Sequence, residues 1–323
     1  MIIAEMLQST LMQRALIVAF LVGLSAPVVG TYLVQRRLTL LGDGIGHVAL
    51  TGVALGWLAA SAAGVADRDA WAVPGAIVVS VLGALLIEWM RTHGHASGDV
   101  ALAMLFYGGI AGGVLLIGIA GGTTSNLNAY LFGSISTVTR TDTLLTVILA
   151  IFILSVGLGL RPSLFALSYD EEFARASGLP TQLLSVLISV TAALTVAVAM
   201  RIVGALLVSA LMIVPVAIAQ TVTTSFKTTM RAAMVIGVIT ALTGLTITYV
   251  QPWSPGATIV VLMVTIYGLV ALFRPVVLKL VRRDDHYHPH PEQEPELALP
   301  PVAAMENTES VPKSTTRNEC ELQ

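Results

Sequence analysis

Charge is what this sequence has least of. Only 11% of its 323 residues are Asp, Glu, Lys or Arg, against 55% hydrophobic residues and a mean hydropathy of +0.84. So little polar surface cannot cover a water-soluble globule of this size. Cysteine is nearly absent too: the single Cys320 excludes a disulfide within the chain. No G-x-x-x-x-G-K-[ST] stretch occurs, so the chain cannot cradle nucleotide phosphates in a P-loop, and no H-E-x-x-H pair supports a zinc peptidase. The apolar stretches hold neither a nucleophile nor a catalytic metal triad, which leaves an intramembrane enzyme unsupported.

What is present instead is a series of long apolar runs. Crossing about 30 Å of hydrocarbon takes roughly 17 to 25 residues in a helix. Nine runs fit: Ala15 to Val34, Ile45 to Ala63, Val73 to Met90, Val100 to Ala120, Leu144 to Leu160, Leu183 to Ala199, Ile202 to Ala219, Ala232 to Val250 and Ala257 to Leu272. They are continuously apolar rather than alternating, so they read as helices and not barrel strands. The expected fold is an all-α polytopic membrane protein with about nine transmembrane helices over residues 1–283. The sixth and seventh runs touch at Met200 and Arg201, and a single long helix there would reverse every later crossing.

Lys and Arg fall mainly after the odd-numbered runs: Arg36 and Arg37, Arg91, Arg161 and Arg175, Lys227 and Arg231, then Arg274, Lys279, Arg282 and Arg283. The other loops carry Asp67, Arg68 and Asp69, then Arg140 with Asp142, then the uncharged QPWSPG. The positive-inside rule therefore predicts an outside N-terminus and a cytoplasmic C-terminus. Residues 284–323 are Pro- and Glu-rich, with nine of the 19 acidic and two of the 17 basic residues of the chain, so this segment is net −7 and the rest +5. Its composition predicts a disordered cytoplasmic tail. His286, His288 and His290 in HYHPHP fit a weak metal-binding or sensing role as well as a nonspecific polar tail.

An ionisable side chain among apolar helices marks a function by default, because burial at a helix centre costs roughly 2.5 to 3.5 kcal/mol. Asp43 and His47 are the prime candidates. At i and i+4 they share one helix face, and carboxylate plus imidazole suits zinc, manganese or iron better than magnesium. Asp43 also stands where an N-cap would. Two ligands are fewer than the four of a structural site, which suits an ion that must leave as readily as it arrives. The neighbouring Gly42, Gly44, Gly46, Gly52 and Gly56 read mainly as helix packing. Glu88 is expected to pair with Arg91 at the inner interface, Arg201 to anchor near the outer surface, and His93 and His95 to lie in a solvated loop. On the inner side, the YDEEFARASGLP stretch has an acidic start, a short helical middle and a Gly-Pro stop, the pattern of a capped helix lying across the membrane face. It is either a simple connector or a docking surface.

The blocks MQRALIVAFLVGLSAPVVGTYLVQRRLTLLGDGIGHVALTGVALG, GDVALAMLFYGGIAGGVLL, LNAYLFGSI, LSYDEEFARASGLP and VGALLVSALMIVPVAIAQ occur in that order from about Leu11 to Phe273. Together they resemble the permease subunits of bacterial ABC importers for zinc, manganese and iron. The resemblance implies the fold of the cobalamin and siderophore importer permeases without their first helix, and a short helix after the fourth span over NLNAYLFGSISTVT. It implies a homodimer that docks on cytoplasmic ABC ATPase subunits and receives metal from an extracytoplasmic binding lipoprotein, with no resident cofactor and no enzymatic activity of its own. Asp43 and His47 match the positions of metal ligands on the path. Tyr169, Asp170, Glu171, Glu172, Phe173, Ala174, Arg175, Gly178 and Pro180 match the ATPase-coupling helix. Zinc, manganese and iron stay open. An ion-gradient-coupled secondary metal transporter would use the same pair without an ATPase, and a siderophore or haem permease would favour a wide, uncharged path.

Overall fold

Apolar side chains without water to bond the backbone leave helix as the economical solution, and the described residues are mainly helical. The computed structural model describes residues 8–281 except 66, 94–97, 122–123, 135–138, 201–202 and 206, with backbone alone for 98–99, 124–127 and 274–281. The predicted sites Arg201, His95, His286, His288 and His290 lie outside the described residues. The helices are α1 (Thr10–Gln35), α2 (Thr39–Ala62), α3 (Ala72–Thr92, entered by a 3-10 turn, Arg68–Trp71), α4 (Gly98–Ile119), α5 (Thr124–Phe132), α6 (Arg140–Gly159), α7 (Arg161–Tyr169), α8 (Glu171–Ala176), α9 (Thr181–Ala199), α10 (Val208–Val222), α11 (Phe226–Val250) and α12 (Pro255–Val281). Among the described residues eight helices are long and apolar enough to span a membrane, and α10 is a shorter apolar helix of 15 residues.

The sixth and seventh runs are thus separate helices. The seventh starts at Val208 rather than at the expected Ile202, because the chain turns at Gly204, whose φ of +93° suits glycine. The Ala205 N–H is then given to Tyr130 O of α5 at 2.8 Å, outside any helical ladder. A Cβ on Gly204 would stand 2.2 Å from Leu131 O, so the turn can also press against α5 only as glycine.

Around the central α2, α3 and α4 pack closely, while α1 sits between α11, α6 and α10. The α2–α3 crossing is nearly backbone on backbone. A Cβ on Gly52 would meet Gly75 O at 2.6 Å, and one on Gly56 would meet Trp71 O at 2.2 Å. Small residues are what allow such an approach between helices in lipid.

Long-range bonds sort the helix ends into two groups. At one end Arg36 bonds Ser185 and Glu171, Ser189 bonds Glu88, and Phe226 packs on Tyr32 and Phe165. At the other, Asp69 accepts from Trp57 Nε1 at 3.0 Å and Tyr130 OH at 3.3 Å, and Ser254 Oγ donates to Phe132 O at 2.8 Å. The first end carries Arg36, Arg37, Arg91, Arg161, Arg175, Lys227 and Arg231, while Arg68 and Arg140 lie at the second beside Asp67, Asp69 and Asp142.

The turn between α1 and α2 closes with Arg37 N–H on Val34 O and Leu38 N–H on Leu33 O, a Schellman pattern that favours glycine at its left-handed position. Arg37 occupies that position instead, at φ +59°. Arg37→Gly is expected to stabilise the chain by about 1 kcal/mol, seen as a higher midpoint in detergent thermal unfolding, and an unchanged or lower midpoint would contradict the strain.

Candidate metal path and arginine relay

Helix α2 begins at Thr39, so Asp43 lies a full turn inside it and does not cap it. The capping role expected for Asp43 is therefore corrected: its position inside the helix leaves its carboxylate free to reach another element. Ser209 Oγ of α10 donates to Asp43 Oδ1 at 3.3 Å. Since Ser209 stands in the first turn of α10, the carboxylate also lies at the positive end of that helix dipole.

One turn further along, His47 is 2% exposed. Its ring meets Phe106 of α4 edge-on, with centroids 4.3 Å apart at 81°. Its backbone is gripped from two sides, since a Cβ on Gly109 would stand 2.7 Å from Val48 N, and one on Gly46 would stand 2.7 Å from Ala205 O. Thr51 Oγ1 adds a 2.8 Å bond to Gly109 O. His47 is thus rigidly placed, yet its Nδ1 is buried with no hydrogen-bond partner among the described residues. An unsatisfied buried nitrogen costs about 1–3 kcal/mol, and a metal ligand is one use that offsets it.

The pair lies along the least covered stripe of α2. Leu40 is 66% and Leu55 41% exposed, Asp43 and Thr51 are half-buried, and Phe106 is what covers His47. Among the described residues no third His, Cys, Asp or Glu joins them. One chain therefore brings one carboxylate, half-buried, and one imidazole, buried under Phe106, to the same helix face.

At the positively charged end, Asp170 caps α8 by accepting from the Phe173 N–H at 2.9 Å. Gly178 ends it at φ +79°, with Leu179 N–H on Ala174 O at 3.1 Å, and Pro180 starts α9. Ala174 is fully buried and anchors the helix, whereas Tyr169 (74%) and Phe173 (65%) stand out from the surface. Glu171, Glu172 and Arg175 surround them, also exposed. A preceding helix, α7, was not expected, since RPSLFALSY carries no side-chain cap to announce it.

Beneath this ridge lies a relay that sequence reasoning missed. Arg36, 5% exposed in its side chain, donates Nη2 to Glu171 Oε2 at 3.3 Å and Nη1 to Ser185 Oγ of α9 at 2.8 Å. Arg175 Nη2 holds the other oxygen of Glu171 at 3.3 Å. Burial first, then the nearby Arg91, pull the Arg36 guanidinium below its usual pKa, while Glu171 and Glu88 pull it back up. Ser189, one turn after Ser185, donates to Glu88 Oε2 at 3.3 Å, and Arg91 meets the same oxygen at 3.2 Å. The expected Glu88–Arg91 pair is present, with Glu88 6% exposed. His93 sits exposed against Trp89, with ring centroids 5.1 Å apart. Only the like-signed surplus of arginines near Arg36 could have hinted at this relay.

Three comparisons bear on this arrangement. MntC, a manganese transport system membrane protein of Halalkalibacterium halodurans, is 30% identical over 271 residues, 84% of this chain and 90% of the relative. ScaB, a manganese import system permease protein of Streptococcus parasanguinis, is 30% identical over 262 residues, 81% of this chain and 90% of the relative. The solved PsaBC from Streptococcus pneumoniae, in complex with Fab, superposes with a TM-score of 0.73 at 30% identity, covering 86% of this chain and 99% of that one. The family model of the ABC 3 transport family matches residues 8–274, nearly the whole helical region. With the spanning helices, the Asp43–His47 pair and the exposed capped ridge all inside that match, this multi-pass membrane chain belongs to the ABC 3 transport family.

Proposed function

We propose that this chain is the permease of an ATP-driven importer that carries a divalent transition metal ion inward, manganese first, with zinc and iron as the nearest alternatives. The observation that carries this is the Asp43–His47 pair on one face of α2, a half-buried carboxylate one turn from a buried imidazole nitrogen without a partner among the described residues. Manganese is favoured because the relatives MntC and ScaB are manganese transport proteins, and carboxylate with imidazole accommodates it.

The chain works as a homodimer. Two copies facing each other across a two-fold axis bring two Asp and two His to one path, four side-chain ligands where each subunit has two. The exposed face of α4, with Met104, Tyr107 and Leu115 each above 60% exposed, extends the surface available to the second copy. The arginine-rich end lies in the cytoplasm, with the N-terminus outside. There the ridge of Tyr169 and Phe173 inserts into an ABC ATPase subunit, and the opposite end receives metal from an extracytoplasmic binding lipoprotein. ATP-driven motion of the ATPases rocks the two permeases, so the path opens alternately to each side. The tail histidines, His286, His288 and His290, are proposed as a weak cytoplasmic metal site.

The test is metal uptake into proteoliposomes. Loaded binding protein outside, together with ATPase and ATP inside, is expected to support radiolabelled manganese uptake, and a hydrolysis-dead ATPase is expected to abolish it. Uptake by the permease alone under an ion gradient would overturn the reading in favour of a secondary transporter.

A further inference from the structure

Arg161 and Lys227 line one groove at the positively charged end. The groove, of about 500 Å³, is lined by Arg161, Pro162, Phe165, Ser225, Phe226 and Lys227. Its aromatic wall is the Phe165–Phe226 pair, with ring centroids 4.8 Å apart. Neither cation has an ion pair or hydrogen-bond partner among the described residues. Two helices begin at this groove. α11 starts at Phe226 without a side-chain N-cap hydrogen bond, whereas α7 starts at Arg161 with Pro162, which has no N–H, in its first turn.

Two unpaired cations, the uncapped start of α11 and the Ser225 hydroxyl around one groove are complementary to a phosphate-bearing anion. The groove's depth decides what carries that phosphate. Arg161 comes two residues after the last residue of spanning helix α6, and Lys227 is the second residue of spanning helix α11. Both therefore lie at the level of lipid headgroups. Around them Leu158, Leu160, Phe165 and Val222 are 42%, 41%, 38% and 64% exposed, an apolar frame suited to acyl chains rather than to a polar protein loop. Basic pockets between spanning helices are where anionic headgroups bind. We infer that this groove is a binding site for an anionic phospholipid headgroup, with Arg161 and Lys227 holding the phosphate and the Phe165–Phe226 wall receiving the upper acyl chain. The inference rests on the membrane-spanning fold and not on which ion is transported.

The experiment uses the full-length chain released from nanodiscs of equal phosphatidylglycerol and phosphatidylcholine, with the retained lipids counted by native mass spectrometry. Wild type is expected to retain phosphatidylglycerol in preference. Each cation removed should lower that preference about fivefold, so Arg161→Gln/Lys227→Gln should lose roughly 25-fold. The charge-keeping swap Arg161→Lys/Lys227→Arg should retain it, and Arg140→Gln at the other end should leave it unchanged. Lys227 is exposed and Arg161 half-buried, so folding is monitored by monodispersity and the thermal midpoint. Equal retention by the double glutamine variant would overturn the site, as would an equal loss in Arg140→Gln. Unchanged lipid retention with weakened ATPase association would overturn it too, and would mark the groove as a protein contact.

Discussion

Replacing Asp43 or His47 is expected to lower metal uptake at least tenfold while leaving the amount of folded permease in the membrane unchanged. Losing even an outer partner of a metal ligand weakens binding about 10–100-fold, and a lost ligand weakens it no less. In a two-fold assembly each substitution removes two of four side chains at once. The useful variants keep the volume: Asp43→Asn still accepts from Ser209 Oγ, and His47→Gln still fills the space under Phe106. Alanine at His47 would instead leave a hole against Phe106 and confuse packing with ligation. Basal ATP hydrolysis in the reconstituted complex should persist, because neither residue touches the exposed ridge around Tyr169 and Phe173. The measurement is radiolabelled metal uptake normalised to permease in the membrane, with hydrolysis followed in parallel. Normal uptake by both conservative variants would sink the ligand reading.

This pair was legible in the sequence because its signal is local: four residues of spacing and a scarcity of charge single it out. The spanning helices were legible for a similarly simple reason, since hydrocarbon permits few alternatives to helix. What escaped depends on contacts far apart in the chain. Nothing near Asp43 announces Ser209, 166 residues away, and Phe106 reads as one more apolar residue until it is found over His47. The late start of α10 was equally hidden, because Ile202 to Val208 is apolar throughout and the break is set by Gly204 pressing on α5. Hydropathy measures how a segment partitions, not where its backbone turns. Arg36 is the sharpest case. By composition it was one more cytoplasmic positive charge, whereas in the fold it is a buried hub.

That hub leads to the second large effect: Arg36→Ala or Glu171→Ala is expected to uncouple ATP hydrolysis from transport. Arg36 follows α1, Glu171 belongs to α8, and Ser185 to α9, so one guanidinium ties the exposed ridge to two spanning helices. Ser189 extends the tie to Glu88 at the end of α3, and α3 packs on α2, which carries Asp43 and His47. A push on α8 is thereby shared among α1, α9 and α3 rather than absorbed in a loop. Glu171 is 44% exposed, so the pair itself is worth little to stability, on the order of 1 kcal/mol. Removing Glu171 leaves Arg36 buried with Ser185 and without its paired carboxylate, Glu88 remaining as the other opposite charge, which loosens α8 more than it unfolds the chain. Reconstituted complexes should therefore keep basal hydrolysis while the metal moved per ATP falls about tenfold. A merely structural role would lower both together through loss of folded protein. The reversed pair Arg36→Glu/Glu171→Arg places the carboxylate at the buried position, where it can still accept from Ser185 Oγ, and should recover part of the coupling. Single variants that keep the wild-type ratio of metal to ATP would show that the ridge acts on the spanning helices by another route.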